Sequence, residues 1–371
     1  MVFNYFNPTK VITGEGCVLK HAGELSRLGK SCLIVTGGSS AKKSGALSDA
    51  VKALQSEGVE YQIFDGIEPN PTMVSCMEAG KTARDNGLEF VLGIGGGSPL
   101  DAAKAAAVYA ANDMTDGMDI FNADWKNPAL PIAEIGTTAG TGSEVTSFSI
   151  ITKPDGRKKS FGRADTYPAV MFGDARYTAT LPLNFTISTA LDALAHALEA
   201  YFNTTANSMT DIFAIEATVV LCEQLKLLQS AKDIGDITMP QREQLYFASI
   251  LAGYPLSQCG TLYCHNLGYY FTEACDTPHG FACTATLPDL IMRGEKYAPG
   301  RAKALFTRAG TSAEELCGLI KALTKLPDVK IPKDVITRLS EEGSKTKNFE
   351  KTIPNGFTKE DSIELLTRLF G

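Results

Sequence analysis

Over the first half of the chain, short apolar runs alternate with longer segments of helical periodicity. Residues 31–36 (SCLIVT) form one β-branched run, closed by Gly37-Gly38. Residues 61–65 (YQIFD) form a second, ended by the turn-rich PNP at 69–71. Residues 90–94 (FVLGI) and 132–135 (IAEI) give two more. Between them, residues 44–57 and 73–86 carry the spacing of amphipathic helices. Strand, helix and strand at these intervals predict parallel βαβ units, and so a doubly wound α/β domain with a parallel sheet.

Beyond about residue 177 strand signals nearly vanish, and helical patterns recur at 186–201, 211–228, 240–253, 312–323 and 359–370. The change of character falls within 174–183. The expected division is an α/β domain over 1–176 and an all-α C-terminal domain over 177–371. There is no internal repeat and no low-complexity segment.

The most informative segment of the first half is 90–104, FVLGIGGGSPLDAAK. An apolar strand runs into Gly95, Gly96 and Gly97, then Ser98, Pro99 and an alanine-rich helix. Pro99 suits the first helical position, where its missing N–H leaves nothing unpaired. Bare backbone N–H groups at such a turn form an anion site that suits a pyrophosphate. This is not the G-x-G-x-x-G fingerprint, because it follows the third strand and not the first. A purely structural turn needs only about one glycine here, where three precede a serine. A second polar run, 136–144 (GTTAGTGSE), follows the next strand. Alone it reads as a flexible loop; beside the first motif it is expected to line the other side of a cofactor.

Composition narrows the function without choosing it. A chain of 371 residues with 44% apolar and 21% charged residues has room for two ordinary globular domains. A net charge of −7 with no long run of one sign argues against nucleic acid or an anionic membrane as partner. No stretch of 18 apolar residues occurs, so no membrane span is expected. The N-terminus lacks a basic region followed by an apolar core, so it is not read as a signal peptide. Nine cysteines without a C-x-x-C pair suit a reduced, cytoplasmic setting, with most thiols packed as small apolar groups. Cys259, Cys264, Cys275 and Cys283 flank two histidines, yet their spacing matches no paired zinc knuckle.

Three of the four histidines lie in the helical half. In residues 186–201 (TISTALDALAHALEAY) Asp192 and His196 are four apart and share one otherwise apolar helix face. A carboxylate and an imidazole there need a partner, since burying them unpaired is costly. His265 in LYCHNLGYY and His279 in DTPHGFA complete one carboxylate and three imidazoles. Zinc and ferrous iron accept such donors, whereas magnesium and calcium prefer oxygen. The competing explanation makes each histidine a satisfied core residue; clustering in two segments favours the metal. His21, in LKHAGEL, reads as an exposed helix residue.

With these residues in view, the sequence resembles the iron-containing, or group III, alcohol dehydrogenases. The motifs are GGGSPLDAAK at 95–104, TTAGTGSEVT at 137–146, LDALAHALEAY at 191–201 and DTPHG at 276–280. The resemblance spans nearly the whole chain. It implies hydride transfer between NADP or NAD and a small alcohol or aldehyde, with the active site in the cleft between the domains. It makes Asp192, His196, His265 and His279 the ligands of a catalytic Fe2+ or Zn2+. Gly96, Gly97 and Ser98 correspond to the pyrophosphate site, with Asp101 close to the cofactor and Asn70 near the adenosine. Thr137, Thr138, Thr141, Thr146, Phe148, Lys159 and Leu181 would line the nicotinamide half. A homodimer is expected.

One departure concerns the proton. Many members carry a further histidine near the nicotinamide where this chain has Tyr269, so a relay through that histidine is absent. A ribose hydroxyl, water or Tyr269 is left to carry the proton. The phosphorylated cofactor is the expected one. The run 31–36 ends in Gly37-Gly38-Ser39-Ser40, followed by Lys42 and Lys43, and members preferring NAD tend to have aspartate where Gly37 stands. An acid there would hold the ribose 2′-hydroxyl and repel a 2′-phosphate. Gly37, Ser39 and Ser40 are therefore expected at the cofactor, with Asp65 as the opposing consideration. Glycerol-dehydrogenase-like and dehydroquinate-synthase-like enzymes share this architecture. A maleylacetate reductase would lack the metal, and a non-catalytic cofactor-binding protein is the reading from another class.

Overall fold

The apolar runs pair side by side. In the computed structural model, which describes residues 3–371, six strands form one parallel sheet in the order β1-β8-β5-β4-β2-β3. They are β1 (Lys10–Thr13), β2 (Ser31–Gly37), β3 (Glu60–Ile67), β4 (Phe90–Gly95), β5 (Ile132–Gly136) and β8 (Val170–Gly173). A separate antiparallel hairpin joins β6 (Ser149–Thr152) to β7 (Lys158–Phe161). Cys32–Val35 and the whole of β4 are buried, as expected of strands covered on both faces. Helices α1 (Ala46–Ser56), α2 (Met73–Asp85) and α3 (Gly97–Ala111) follow β2, β3 and β4. The two apolar clusters that include residues from opposite faces of β2, Leu33 and Val35 in one and Cys32 and Ile34 in the other, are the layered core.

The strand order reverses direction between β2 and β4. From β2 the chain steps outward to β3, then returns to the other side through β4, β5 and β8. In such sheets the crevice at the carboxyl ends beside the reversal is the ligand-binding position. The glycines that end β2 and β4 lie there.

The compact units are Asn7–Leu181 and Pro182–Gly371, the latter joined by residues 3–6. The division thus falls at Leu181 rather than at 176. The extra N-terminal piece has a local cause: the Gln258 side chain brackets the Phe6 backbone, accepting from its N–H at 3.3 Å and donating to its carbonyl at 2.8 Å.

The second unit is helical, and among the described residues no strand follows Gly173. Its first five helices are α4 (Leu183–Tyr201), α5 (Ser208–Ser230), α6 (Met239–Cys259), α7 (Tyr263–Ala274) and α8 (His279–Thr284). Then come α9 (Leu287–Tyr297), α10 (Pro299–Ala309), α11 (Ala313–Leu323), α12 (Lys333–Gly343) and α13 (Lys359–Phe370). Capping boxes start several of them: Asn207 before α5, Thr238 before α6, Ser312 before α11 and Thr358 before α13. From Leu191 to Tyr201, α4 is buried on every face, which makes it the central helix of this unit, packed by α5, α6 and α8. No described helix is long and apolar enough to cross a membrane.

Candidate metal centre and cofactor cradle

Because α4 is buried all round from Leu191 to Tyr201, the polar residues of that stretch are shut off from water. Asp192, His196 and Glu199 are buried and follow one another at spacings of four and three, so one stripe of the helix carries all of them. His265 sits in the first turn of α7 and His279 begins α8, so each projects from a helix and the two bracket the connection between α7 and α8. Two glycines let these helices close on α4 and on each other. A Cβ on Gly280 would lie 1.7 Å from the Ser188 carbonyl oxygen of α4, and one on Gly268 would lie 2.9 Å from Cys283 Cα.

The result is a buried cluster around one oxygen. Asp192 Oδ1 is 3.4 Å from His265 Nε2, 3.9 Å from His196 Nε2 and 3.9 Å from His279 Nε2. Neither Asp192 Oδ1 nor His265 Nε2 makes a hydrogen bond, although both are buried. An orphaned pair of this kind is expensive unless something else takes up its lone pairs. Burial works against the Asp192 charge, yet His196, His279 and His265 hold its carboxyl well below the usual carboxylate range. The His265 and His279 rings meet edge to face at 5.5 Å, while His196 stacks on His265 at 4.6 Å.

Two participants were missed in the sequence. Glu199 Oε2 contacts His265 Nδ1, while Oε1 accepts the backbone N–H groups of Leu262 at 2.8 Å and His265 at 3.2 Å. The carboxylate therefore fixes the ring and leaves Nε2 facing Asp192. Cys283 follows His279 by four residues, and its Sγ is 3.5 Å from His279 Nε2. Burial pushes the Cys283 thiol up to about 11, with His265 opposing the shift. Both signals were present as helical spacing: Glu199 after His196, and Cys283 after His279. Tyr269 stacks on His279 with ring centroids 5.9 Å apart. A groove of about 720 Å3 elsewhere in this unit is lined by residues such as Pro288, Met292, Ile320 and Leu369, and includes none of the cluster.

In the α/β unit the remaining candidates gather at the carboxyl ends of the strands. α3 begins at Gly97, two residues before Pro99, so the proline lies in the first turn, where its missing N–H is still without consequence. Gly95 has φ +154 and leads to Gly96, the N-cap residue. A Cβ on Gly96 would lie 3.1 Å from Thr138 Cγ2, and one on Gly97 would lie 2.9 Å from Thr141 Cγ2. The glycine turn and the threonine loop are thus in contact, and Thr137 N–H donates to the Gly95 carbonyl at 2.8 Å. Asn70, at φ 60, donates its N–H to Ser98 Oγ at 3.2 Å. Gly37 ends β2, and Ser39 and Ser40 open the short turn that follows it.

Other candidates face the protein. Asp101 accepts from Ser143 Oγ at 2.7 Å and from Ile150 N–H at 2.9 Å, so its carboxylate ties α3 to the threonine loop and the hairpin. The buried Lys104 donates to the carbonyls of Ser143 and Phe148 at 2.7 and 3.0 Å. Thr146 is buried with its hydroxyl 3.4 Å from the Ser143 carbonyl. Lys159 is exposed on β7, 4.9 Å over the Phe121 ring, and Leu181 is half-buried at the end of the unit.

Comparison with known proteins covers both units. The profile described as iron-containing alcohol dehydrogenase matches residues 8–175, and that of the C-terminal part of the same family matches 186–369. The 1,3-propanediol dehydrogenase of Klebsiella pneumoniae is 32% identical over 80% of this chain and 76% of its own. The NADPH-dependent butanol dehydrogenase of Clostridium saccharobutylicum is 30% identical over 88% of this chain and 84% of its own. The crystal structure of an iron-containing alcohol dehydrogenase from Thermotoga maritima superposes with a TM-score of 0.90 at 34% identity, covering 100% of both chains.

Proposed function

Since this chain belongs to the iron-containing alcohol dehydrogenase family and is an NAD(P)-dependent alcohol dehydrogenase, we propose that Asp192, His196, His265 and His279 hold its divalent ion. The observation that carries this reading is the buried pair Asp192 Oδ1 and His265 Nε2, 3.4 Å apart and without hydrogen bonds. One carboxylate and three imidazoles fit iron or zinc. When bound, the ion supplies Lewis acidity toward the substrate oxygen, and the nicotinamide gives or takes the hydride.

The chain's own residues do the positioning. Glu199 holds the His265 ring by Nδ1, which keeps Nε2 available. The side chains of Asp192, His196 and His265 are 4, 8 and 3% exposed, against 33% for His279, so a small alcohol or aldehyde reaches the cluster from the His279 side. In the α/β unit, the N–H groups of Gly96, Gly97 and Ser98 receive the pyrophosphate at the start of a 15-residue helix. Asn70 and the loop of Thr137, Thr138 and Thr141 border that turn. Asp101 keeps the loop in place through Ser143. The phosphorylated cofactor is the preferred one. The cysteines among the described residues are all free, which suits a reducing compartment such as the cytoplasm.

The test is His279→Ala beside wild type, with metal content and turnover measured after chelation and after adding back iron or zinc. The variant should remain folded, bind metal weakly and lose most activity. Full activity in wild-type protein stripped of metal overturns the reading.

A further inference from the structure

We infer that Lys104 is a positioning residue for the cofactor: its buried ammonium holds the loop of Thr137, Thr138 and Thr141 in the shape that receives the dinucleotide. This rests on the cofactor reading above. Lys104 follows Gly97 on α3 by two helical turns, on the same face. The helix therefore meets the loop twice. At its start, a Cβ on Gly97 would lie 2.9 Å from Thr141 Cγ2. Two turns later, Lys104 Nζ donates to the Ser143 carbonyl and Oγ, both at 2.7 Å, and to the Phe148 carbonyl at 3.0 Å. The Ser143 N–H donates to Thr141 Oγ1 at 3.3 Å, which carries the lysine's hold back to the threonines.

An ammonium has three protons, and these three acceptors take all of them. A carboxyl is at hand, yet the lysine does not turn to it. Lys104 and Glu134 of β5 are both fully buried, with Nζ 3.8 Å from Oε1, beyond a hydrogen bond. Neither Glu134 oxygen has a hydrogen-bond partner. Asp101, by contrast, is held by Ser143 Oγ at 2.7 Å and Ile150 N–H at 2.9 Å. Burial pushes the Glu134 carboxyl well above the usual carboxylate range against the pull of Lys104, and Glu144 and Asp101 add to the rise. A neutral Glu134 leaves the ammonium to the loop, where the dry surroundings strengthen its bonds to the carbonyls.

NADPH titrated into the metal-loaded enzyme is the probe, with amide hydrogen exchange over 96–98 and 137–148 as a second readout. The rival explanation makes Lys104 the counter-ion of Glu134 and nothing more. Lys104→Met should raise the NADPH Kd by about tenfold or more, the scale of one hydrogen bond to a charged group, and speed exchange in the loop. Lys104→Met/Glu134→Gln removes both members of the pair, and it carries the test where the single variant does not fold. It should keep the raised Kd, because the loop carbonyls stay unheld, while metal affinity by chelator competition matches wild type. Wild-type Kd in either variant overturns the role of Lys104 and leaves the cofactor reading standing. A raised Kd with an equal loss of metal affinity marks general damage and overturns it too. Wild-type protein in which NADPH leaves exchange at 96–98 unchanged overturns the cofactor reading, and this inference with it.

Discussion

Gly280 meets Ser188 at a separation no other residue could tolerate: a Cβ built on the glycine lies 1.7 Å from the Ser188 carbonyl oxygen. The contact is backbone against backbone, so no side chain can turn aside. It brings the first turn of α8, and with it His279, against the stripe of α4 that carries Asp192. Gly280→Ala should force the two helices apart, costing about 1–3 kcal/mol as overpacking does. Thermal unfolding should report that loss, and chelator competition should show weaker metal binding even where the variant is fully folded. Wild-type affinity in Gly280→Ala would mean that α8 is not held by this contact.

Glu199 reaches the cluster only through His265. Its Oε2 contacts Nδ1 while its Oε1 takes two backbone N–H groups of the α7 start. Glu199→Gln keeps the volume but brings an NH2 group where only acceptors are useful. Metal affinity should drop by about 10–100-fold, as for other outer-shell partners of metal-bound histidines. Circular dichroism should be unchanged. Unaltered affinity with normal folding would remove Glu199 from the site.

Tyr269, expected from the family resemblance to stand where a histidine is common, is a poor acid here. Burial pushes its phenol above the ordinary tyrosine value, so it stays protonated through neutral pH. Its ring, stacked on His279, is a packing surface that phenylalanine reproduces. Tyr269→Phe should therefore lose less than about a hundredfold in kcat, the lower end of what removal of a general acid costs. A larger loss at every pH would make the tyrosine hydroxyl the proton donor.

These residues also show where the sequence was informative. Strands β2, β4 and β5 and helix α4 were legible because each is long enough, and apolar enough, to display its period. Strands β1 and β8 are four residues each, too short for any period, and the pairing that puts β1 at the sheet edge against β8 spans more than 150 residues. Asp192 and His196 stood out as polar residues on an apolar face. Glu199 lies on that same face, but a glutamate near a helix end reads as solvated until burial is known. Cys283 was grouped with other cysteines, whereas its real neighbours are histidines brought together by tertiary packing. Asp65 was weighed as a free acid, and its partner Lys42 belongs to a turn 23 residues away.

That pairing bears on the choice of cofactor. Lys42 Nζ meets Asp65 Oδ2 at 2.9 Å, with both side chains about half exposed. The lysine draws the Asp65 carboxyl below its ordinary value. Such exposed pairs contribute little and exchange readily for a better anion. Gly37, a few residues earlier, has little room for an acid, because a Cβ there would come within 3.1 Å of the Ile67 carbonyl oxygen. Gly38 is open on the side where its Cβ would be. A ribose 2′-phosphate arriving here finds the Ser39 and Ser40 hydroxyls and a lysine held only by a surface carboxylate. The kcat/KM should therefore be higher with NADPH than with NADH. Lys42→Ala should lower the NADPH value about tenfold or more, the scale of one hydrogen bond to a charged group, and leave NADH nearly unchanged. Asp65→Asn should move the ratio the other way, since it frees the lysine and removes a repelling charge. A wild-type enzyme that prefers NADH, or a Lys42→Ala variant that loses both cofactors equally, would place the 2′-position elsewhere than at this turn.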